Sequence, residues 1–155
     1  LIIENQKRLK VDNLIAEVHD ATKFDSTYIN KADVVIADLP CSGLGVIGKK
    51  PDIKYNIQEE SLVQLADLKK QIFNVIQKYV KVGGTLLYST CTLNPRENEE
   101  NVKYIVENLG FELESLDPYL PKTLQCDTTS KGYLTLIPGV HHTDGFFIAR
   151  LKRKA

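Results

Sequence analysis

The sequence predicts an α/β fold in which a mostly parallel sheet with antiparallel edge strands carries helices on both faces. Three observations predict it. Short β-branched runs alternate with stretches of helical period, the early runs end in polar or cysteine-bearing turns, and three late strand-like runs follow toward the carboxyl end.

The chain opens on a helical pattern, Leu1 to Leu9, with no capping residue ahead of it, so it is expected to be entered partway through a helix. Leu14 to Val18 and Asp33 to Ala37 read as strands, each followed by an aspartate, Asp20 and Asp38. From Leu62 the apolar positions Leu65, Ala66, Ile72, Phe73, Ile76, Tyr79 and Val80 keep the helical period, with Lys69, Lys70 and Lys78 interspersed. Asn56 and Glu59 are expected to cap this helix, and Gly83-Gly84 to end it before a strand from Thr85 to Ser89. Asn94, Pro95 and Glu97 announce a second helix as cap, first-turn proline and reciprocal cap; Val102, Ile105, Val106 and Leu109 line one side, and Gly110 terminates it. Phe111 to Leu116, Tyr133 to Ile137 and Gly145 to Leu151 read as antiparallel edge strands, the last two joined by a loop holding His141 and His142. Asp127 to Lys131 reads as a mobile loop.

Composition narrows the function classes. A chain of 155 residues, 43% hydrophobic, supports one domain with a real core. Its 20 basic and 20 acidic residues produce no global positive field, so any contact with nucleic acid must be local. No apolar run approaches the roughly 20 residues needed to span a bilayer, and Leu1 to Lys10 does not resemble a secretory leader, so a cytoplasmic protein is expected. Cys41, Cys91 and Cys126 are odd in number and form no C-x-x-C pair, which argues against a disulfide framework or a metal site and for free thiols.

In open α/β sheets ligands bind outside the carboxyl ends of the parallel strands. Asp20, the Asp38 to Gly43 turn and Thr90-Cys91-Thr92 each follow an expected parallel strand, so all three should meet on one edge.

Two of these turns read D-L-P-C-S-G, from Asp38 to Gly43, and S-T-C-T-L-N-P-R-E-N, from Ser89 to Asn98. They resemble the two cysteine motifs of RNA cytosine-5 methyltransferases, D-x-P-C-S-G and S-T-C-[ST]-x-x-x-x-E-N. The stretches G-V-I-G-K-K-P-D-I-K-Y from Gly45 to Tyr55 and D-G-F-F-I-A-R-L from Asp144 to Leu151 resemble the Sun (Fmu) group in particular. The resemblance implies a Rossmann-like methyltransferase fold, S-adenosylmethionine as cofactor, and methylation of carbon 5 of a cytosine in RNA, small-subunit ribosomal RNA being the substrate associated with the group. It implies that Cys91 is the attacking thiolate and Cys41 the helper in product release. It also implies that Asp38 orients the cytosine edge and touches the cofactor's amino group, and that Asp20 contacts the adenine end. Lys49, Lys50 and Lys54, beside the cysteine turn, are candidates for phosphate contact. The family's glycine-rich cofactor loop and the acidic residue after its second strand have no counterpart here, so residues 1–155 are expected to be one catalytic-domain portion lacking the first two strands of the sheet, with weak cofactor binding on its own.

Plainer readings stand beside these. Cys126 matches no motif and is expected to be a small buried hydrophobe. Asp20 also reads as the cap of a turn, and His141 and His142 as a solvated loop. Gly43, Gly45 and Gly48 spell G-x-G-x-x-G, but Lys49-Lys50-Pro51 follows where a dinucleotide-binding helix would run, which argues against a nicotinamide site. Two other functions compete: a non-catalytic RNA-binding module, and a cysteine hydrolase using Cys91 with His19 or His142.

Overall fold

The computed structural model describes residues 1–155. In chain order its elements are α1 (Ile2–Leu9), β1 (Ala32–Asp38), α2 (Ile53–Asn56), α3 (Glu59–Ile76), β2 (Val80–Thr90), α4 (Glu99–Asn108), β3 (Phe111–Leu113), α5 (Asp127–Lys131), β4 (Tyr133–Leu136) and β5 (Phe146–Arg153). Five strands form one sheet in the order β1-β2-β5-β3, with β4 also paired to β5. No helix is long and apolar enough to cross a membrane.

The α/β class holds, and the connection from β1 through α3 to β2 gives the expected parallel pair. Parallel pairing stops there: β5 runs antiparallel to β2, β3 and β4. β5 is therefore interior, not an edge. Its residues alternate between buried and half-buried, with β2 on one side and the short strands β3 and β4 sharing the other. β3 and β4, each paired only with β5, are edges as expected, and β1 is the edge on the other side.

Strand alternation sorts the sheet into two unlike faces. Ala37, Leu86, Tyr88, Phe147, Ala149 and Leu151 point to one face and pack with Ile72, Phe73 and Ile76 of α3, Val102 and Ile105 of α4, and Leu109 just after it. Phe73 meets Tyr88 edge-on at 4.9 Å between ring centroids. The opposite face carries no long helix. The 3₁₀ turn Asp117–Tyr119 lies over Leu87 and Ile148, and Val34 and Ile36 stay exposed. The two long helices thus share one face, and short helical segments reach the other, where Thr129 of α5 bonds Asp117 of the 3₁₀ turn.

Several boundaries differ from the sequence reading for identifiable reasons. Residues 14–18 form no strand, and Leu14, Ile15 and Val18 are exposed, because no neighbouring chain supplies a ladder for their backbone. Gly83-Gly84 lies inside β2: Ala32 pairs with Val80 but Val34 with Thr85, so Gly83, at φ 77°, sits in a bulge where the strand takes up the extra residues. α3 starts after Gln58 without a side-chain cap, and Asn56 ends α2 instead. Asp127–Lys131 is helical: Thr129 is fully buried and its hydroxyl donates to Asp117 Oδ1 at 2.5 Å.

Candidate active site

β1 and β2 are in register at their carboxyl ends, Ala37 opposite Tyr88 and Asp38 opposite Ser89. The two turns that follow therefore leave the sheet side by side. Cys41 Sγ and Cys91 Sγ lie 3.1 Å apart and both are half-buried. Gly43 turns the first segment with φ 71°, a left-handed conformation suited to glycine. Gly45 then donates its N–H to Cys91 O at 3.0 Å, and Gly145 donates to Gly45 O at 2.7 Å. A Cβ on Gly45 would stand 2.3 Å from Gly145 O and 2.8 Å from Cys91 O, so only glycine permits this three-loop contact. Gly43 and Gly45 of the G-x-G-x-x-G string thus serve packing around the thiols, and the string contains a short 3₁₀ turn, Leu44–Val46, in place of a phosphate-binding helix.

Beneath the thiols lies a buried carboxylate. Glu97, fully buried, accepts Lys69 Nζ at 2.6 Å and Ser42 N at 3.1 Å on Oε2, and Ser42 Oγ at 2.5 Å and Asn94 Nδ2 at 3.2 Å on Oε1. Ser42 Oγ also lies 2.7 Å from Thr92 Oγ1. Asn98 braces the other side: Thr90 Oγ1 donates to its Oδ1 at 2.7 Å, and its Nδ2 donates to Thr92 O at 3.0 Å, so it spans the two neighbours of Cys91. The Tyr88 hydroxyl donates to the Glu97 carbonyl. The Glu and Asn that close the second cysteine motif are therefore the struts of both turns.

Burial pushes the Cys41 thiol up to about 11, with the hydrogen bond to Cys91 acting in the same direction. Cys41 holds its proton at neutral pH. Burial also raises the Glu97 carboxyl, but hydrogen bonds from Lys69 and Ser42 more than offset this and leave it below the ordinary carboxylate range.

The other candidate residues are placed unequally. Asp38 is exposed at the end of β1 and accepts Ser89 Oγ at 2.9 Å on Oδ1. Asp20 accepts the N–H of Thr22 at 2.9 Å and its hydroxyl at 2.7 Å, the turn-capping geometry, and it is hydrogen-bonded to neither cysteine nor to Asp38. The hydrogen bonds from Thr22 lower its pKa. Both carboxylates are exposed, so neither is sequestered in the core. Lys49 is engaged, 2.5 Å from Asp144 Oδ2. Lys50 and Lys54 are exposed, Lys54 Nζ lying 4.7 Å over the ring of exposed Tyr55.

Cys126, expected to be buried, is exposed as the cap residue of α5. None of the histidines hydrogen-bonds a thiol: His19 contacts Lys23 O and His141 contacts Ile137, while His142 is exposed in its loop. A hydrolytic Cys-His pair has no geometric support. No group of three or more His, Cys, Asp or Glu side chains is placed to hold a metal ion.

Lys69 was missed by sequence reasoning, which placed it among the polar residues of α3. It is completely buried, and the signal was available: it falls three residues after Ala66 and three before Ile72, within the buried stripe.

Residues 1–152 match the family model described as 16S rRNA methyltransferase RsmB/F. A Bacillus subtilis protein named probable ribosomal RNA small subunit methyltransferase B is 40% identical across 99% of this chain and 35% of its own length. A ribosomal RNA small subunit methyltransferase F of Serratia proteamaculans is 32% identical over 96% of the chain and 31% of its own length. The chain thus spans about a third of the length of the curated relatives it matches. Among solved structures, NSun6 from Pyrococcus horikoshii with SFG superimposes with a TM-score of 0.83 at 33% identity, over 99% of this chain and 38% of that one. A methyltransferase homologue from the same organism gives 0.78 at 27% identity, over 97% and 48%. The fold is that of the Rossmann-like methyltransferases.

Proposed function

Because this chain belongs to the 16S rRNA methyltransferase RsmB/F family, we propose that the protein methylates carbon 5 of a cytosine in small-subunit ribosomal RNA through a covalent adduct at Cys91. The observation that carries this reading is the placement of two free thiols 3.1 Å apart at the ends of adjacent parallel strands.

Cytosine carbon 5 is a weak nucleophile, so a sulfur must first bond to carbon 6 and convert the ring to an enamine. Cys91 forms that bond. The neighbouring Cys41 thiol keeps its proton and lies 3.1 Å from the attacking sulfur, within reach of the same ring. S-adenosylmethionine supplies the electrophilic methyl group, with Asp38 and Asp20 as the residues that would hold it. Solvent then takes the carbon 5 proton with Cys41 assisting release: the electrons of that C–H bond restore the carbon 5–carbon 6 double bond as the carbon 6–sulfur bond breaks, and Cys91 leaves as a thiolate. Asp38 lies two residues before the first turn's Pro-Cys pair and orients the base edge. Lys50 and Lys54 position the RNA by its phosphates, with Lys49 also holding the loop through Asp144.

The test is a denaturing gel of the intact protein and its variants after incubation with unmodified 16S ribosomal RNA and S-adenosylmethionine. Cys91→Ala should form neither 5-methylcytosine nor a covalent complex. Cys41→Ala should accumulate a denaturation-resistant protein–RNA adduct. Turnover by the Cys91 variant, or an adduct with that variant alone, overturns the assignment of roles.

A further inference from the structure

Lys69 is a fully buried ammonium in the core-facing stripe of α3, outside both cysteine turns, and its hydrogen bond goes to the Glu97 carboxylate. Placing two charges out of water is costly, and a well-packed apolar residue at such a position is often at least as stabilising as an ion pair. Stability alone therefore gives no reason for a lysine between Ala66 and Ile72. The contacts of its partner do give one. Glu97 is held by three segments at once: Lys69 from α3, Ser42 from the first cysteine turn, and Asn94 from the second.

We infer that Lys69 is a positioning residue for the reaction, its buried ammonium anchoring the carboxylate that grips Ser42 and thereby fixing the Cys41 thiol against Cys91. The inference rests on the proposed cytosine-5 chemistry and adds a residue to it. The backbone N–H of Ser42 has the Glu97 carboxylate as its acceptor, and Ser42 adjoins Cys41 directly. Residues 39–43 form no regular element, so the carboxylate takes the place of the ladder that would hold a strand. The second turn is less dependent on Lys69, because Asn98 braces Thr90 and Thr92 independently of the carboxylate. Loss of Lys69 should thus disturb Cys41 more than Cys91. Attack at carbon 6 would proceed, and the release step that needs Cys41 would slow.

The experiment uses the intact protein with unmodified 16S ribosomal RNA and S-adenosylmethionine, and compares wild type with Lys69→Met and Lys69→Gln. A displacement of about 1 Å at a reacting group lowers rate on the order of 100-fold. Lys69→Met should lose about 10- to 100-fold in kcat with KM for RNA little changed, and should accumulate the covalent adduct as Cys41→Ala does. Lys69→Gln, which retains a donor for Glu97, should recover part of the loss. A purely structural role would instead lower the amount of folded protein and leave the adduct fraction per folded molecule unchanged.

A second readout needs no activity: the rate at which diamide joins Cys41 to Cys91 in the folded protein, followed by mass spectrometry. Slower joining in Lys69→Met supports the inference, and equal joining with equal kcat overturns it. Where Lys69→Met fails to fold, Lys69→Gln decides: slower joining than wild type supports the inference, and wild-type behaviour in both assays overturns it. A wild-type protein that makes no 5-methylcytosine would sink the functional reading while the joining assay still judges the role of Lys69.

Discussion

Cys41 Sγ and Cys91 Sγ lie 3.1 Å apart although 50 residues of chain separate them. The distance follows from a crossover through α3, which returns the chain to the same end of the sheet and sets Asp38 level with Ser89. Two turns starting level at adjacent strand ends bring the thiol after each within reach of one small planar ring.

That proximity predicts a specific cross-link. Diamide, which oxidises two thiols to a disulfide and is itself reduced to the hydrazine, should join Cys41 to Cys91 intramolecularly and leave Cys126 free. Peptide mapping before and after reduction reads the outcome. A predominant bridge involving Cys126 would show that the two turns do not lie as described.

Thiol labelling should depend on pH in opposite senses at two sites. Cys41 is raised to about 11, by burial first and by its neighbour second, whereas the hydrogen bond from Thr128 lowers exposed Cys126. Alkylation by iodoacetamide requires the thiolate, so at neutral pH Cys126 should be modified well before Cys41. Cys41 should gain about tenfold in rate per pH unit until pH approaches 11. The stability sign follows. The unfolded thiol ionises at its ordinary value near 9 while the folded one keeps its proton, so this group's contribution is intact below pH 9 and lost as pH rises toward 11. Equal labelling of Cys41 and Cys126 at pH 7 would contradict the assignment.

Gly45 and Gly48 should differ sharply on replacement by alanine. A Cβ at Gly45 meets Gly145 O at 2.3 Å and Cys91 O at 2.8 Å, both backbone atoms, while at Gly48 it meets nothing within 4 Å. Gly45→Ala should destabilise by about 1 to 3 kcal/mol or more through overpacking and should displace the Cys91 turn. Gly48→Ala should stay within about 0.5 kcal/mol of wild type. Urea unfolding of the two variants, with diamide joining as a local probe, checks both numbers.

The three lysines should separate in a salt titration of RNA binding. Lys50→Ala and Lys54→Ala should each lower the slope of log affinity against log salt by about 0.7 to 0.9 for each phosphate no longer neutralised. Lys49→Ala should change the slope less, because its ammonium is already paired with Asp144 at 2.5 Å. An unchanged slope in all three variants would make them ordinary surface residues.

Much of this was legible in the sequence, because local order suffices for it. Alternating runs and helical period announce β1, α3, β2 and α4, and the two cysteine motifs fall on the ends of β1 and β2, where an open sheet collects its ligand contacts. Other features depend on neighbours distant in the chain. Residues 14–18 have strand composition but no ladder partner, and β5 has an ordinary amphipathic pattern yet becomes interior because β2, β3 and β4 all reach it. Exposure of Cys126 follows from its place as a cap on α5, which hydrophobicity alone does not signal.

The sequence by itself determined the class of fold, the two cysteine turns and the family chemistry they imply, since short motifs and periodicity are written in adjacent residues. Only the tertiary structure decided that Lys69 is buried, that Glu97 and Asn98 brace both turns, and that Gly45 packs backbone to backbone against Gly145. The physical reason is common to all three. A buried charge, a shared carboxylate and a loop approach too close for a Cβ exist only when distant segments are brought together, as Lys69 is to Glu97 across 28 residues and Gly145 is to Gly45 across 100.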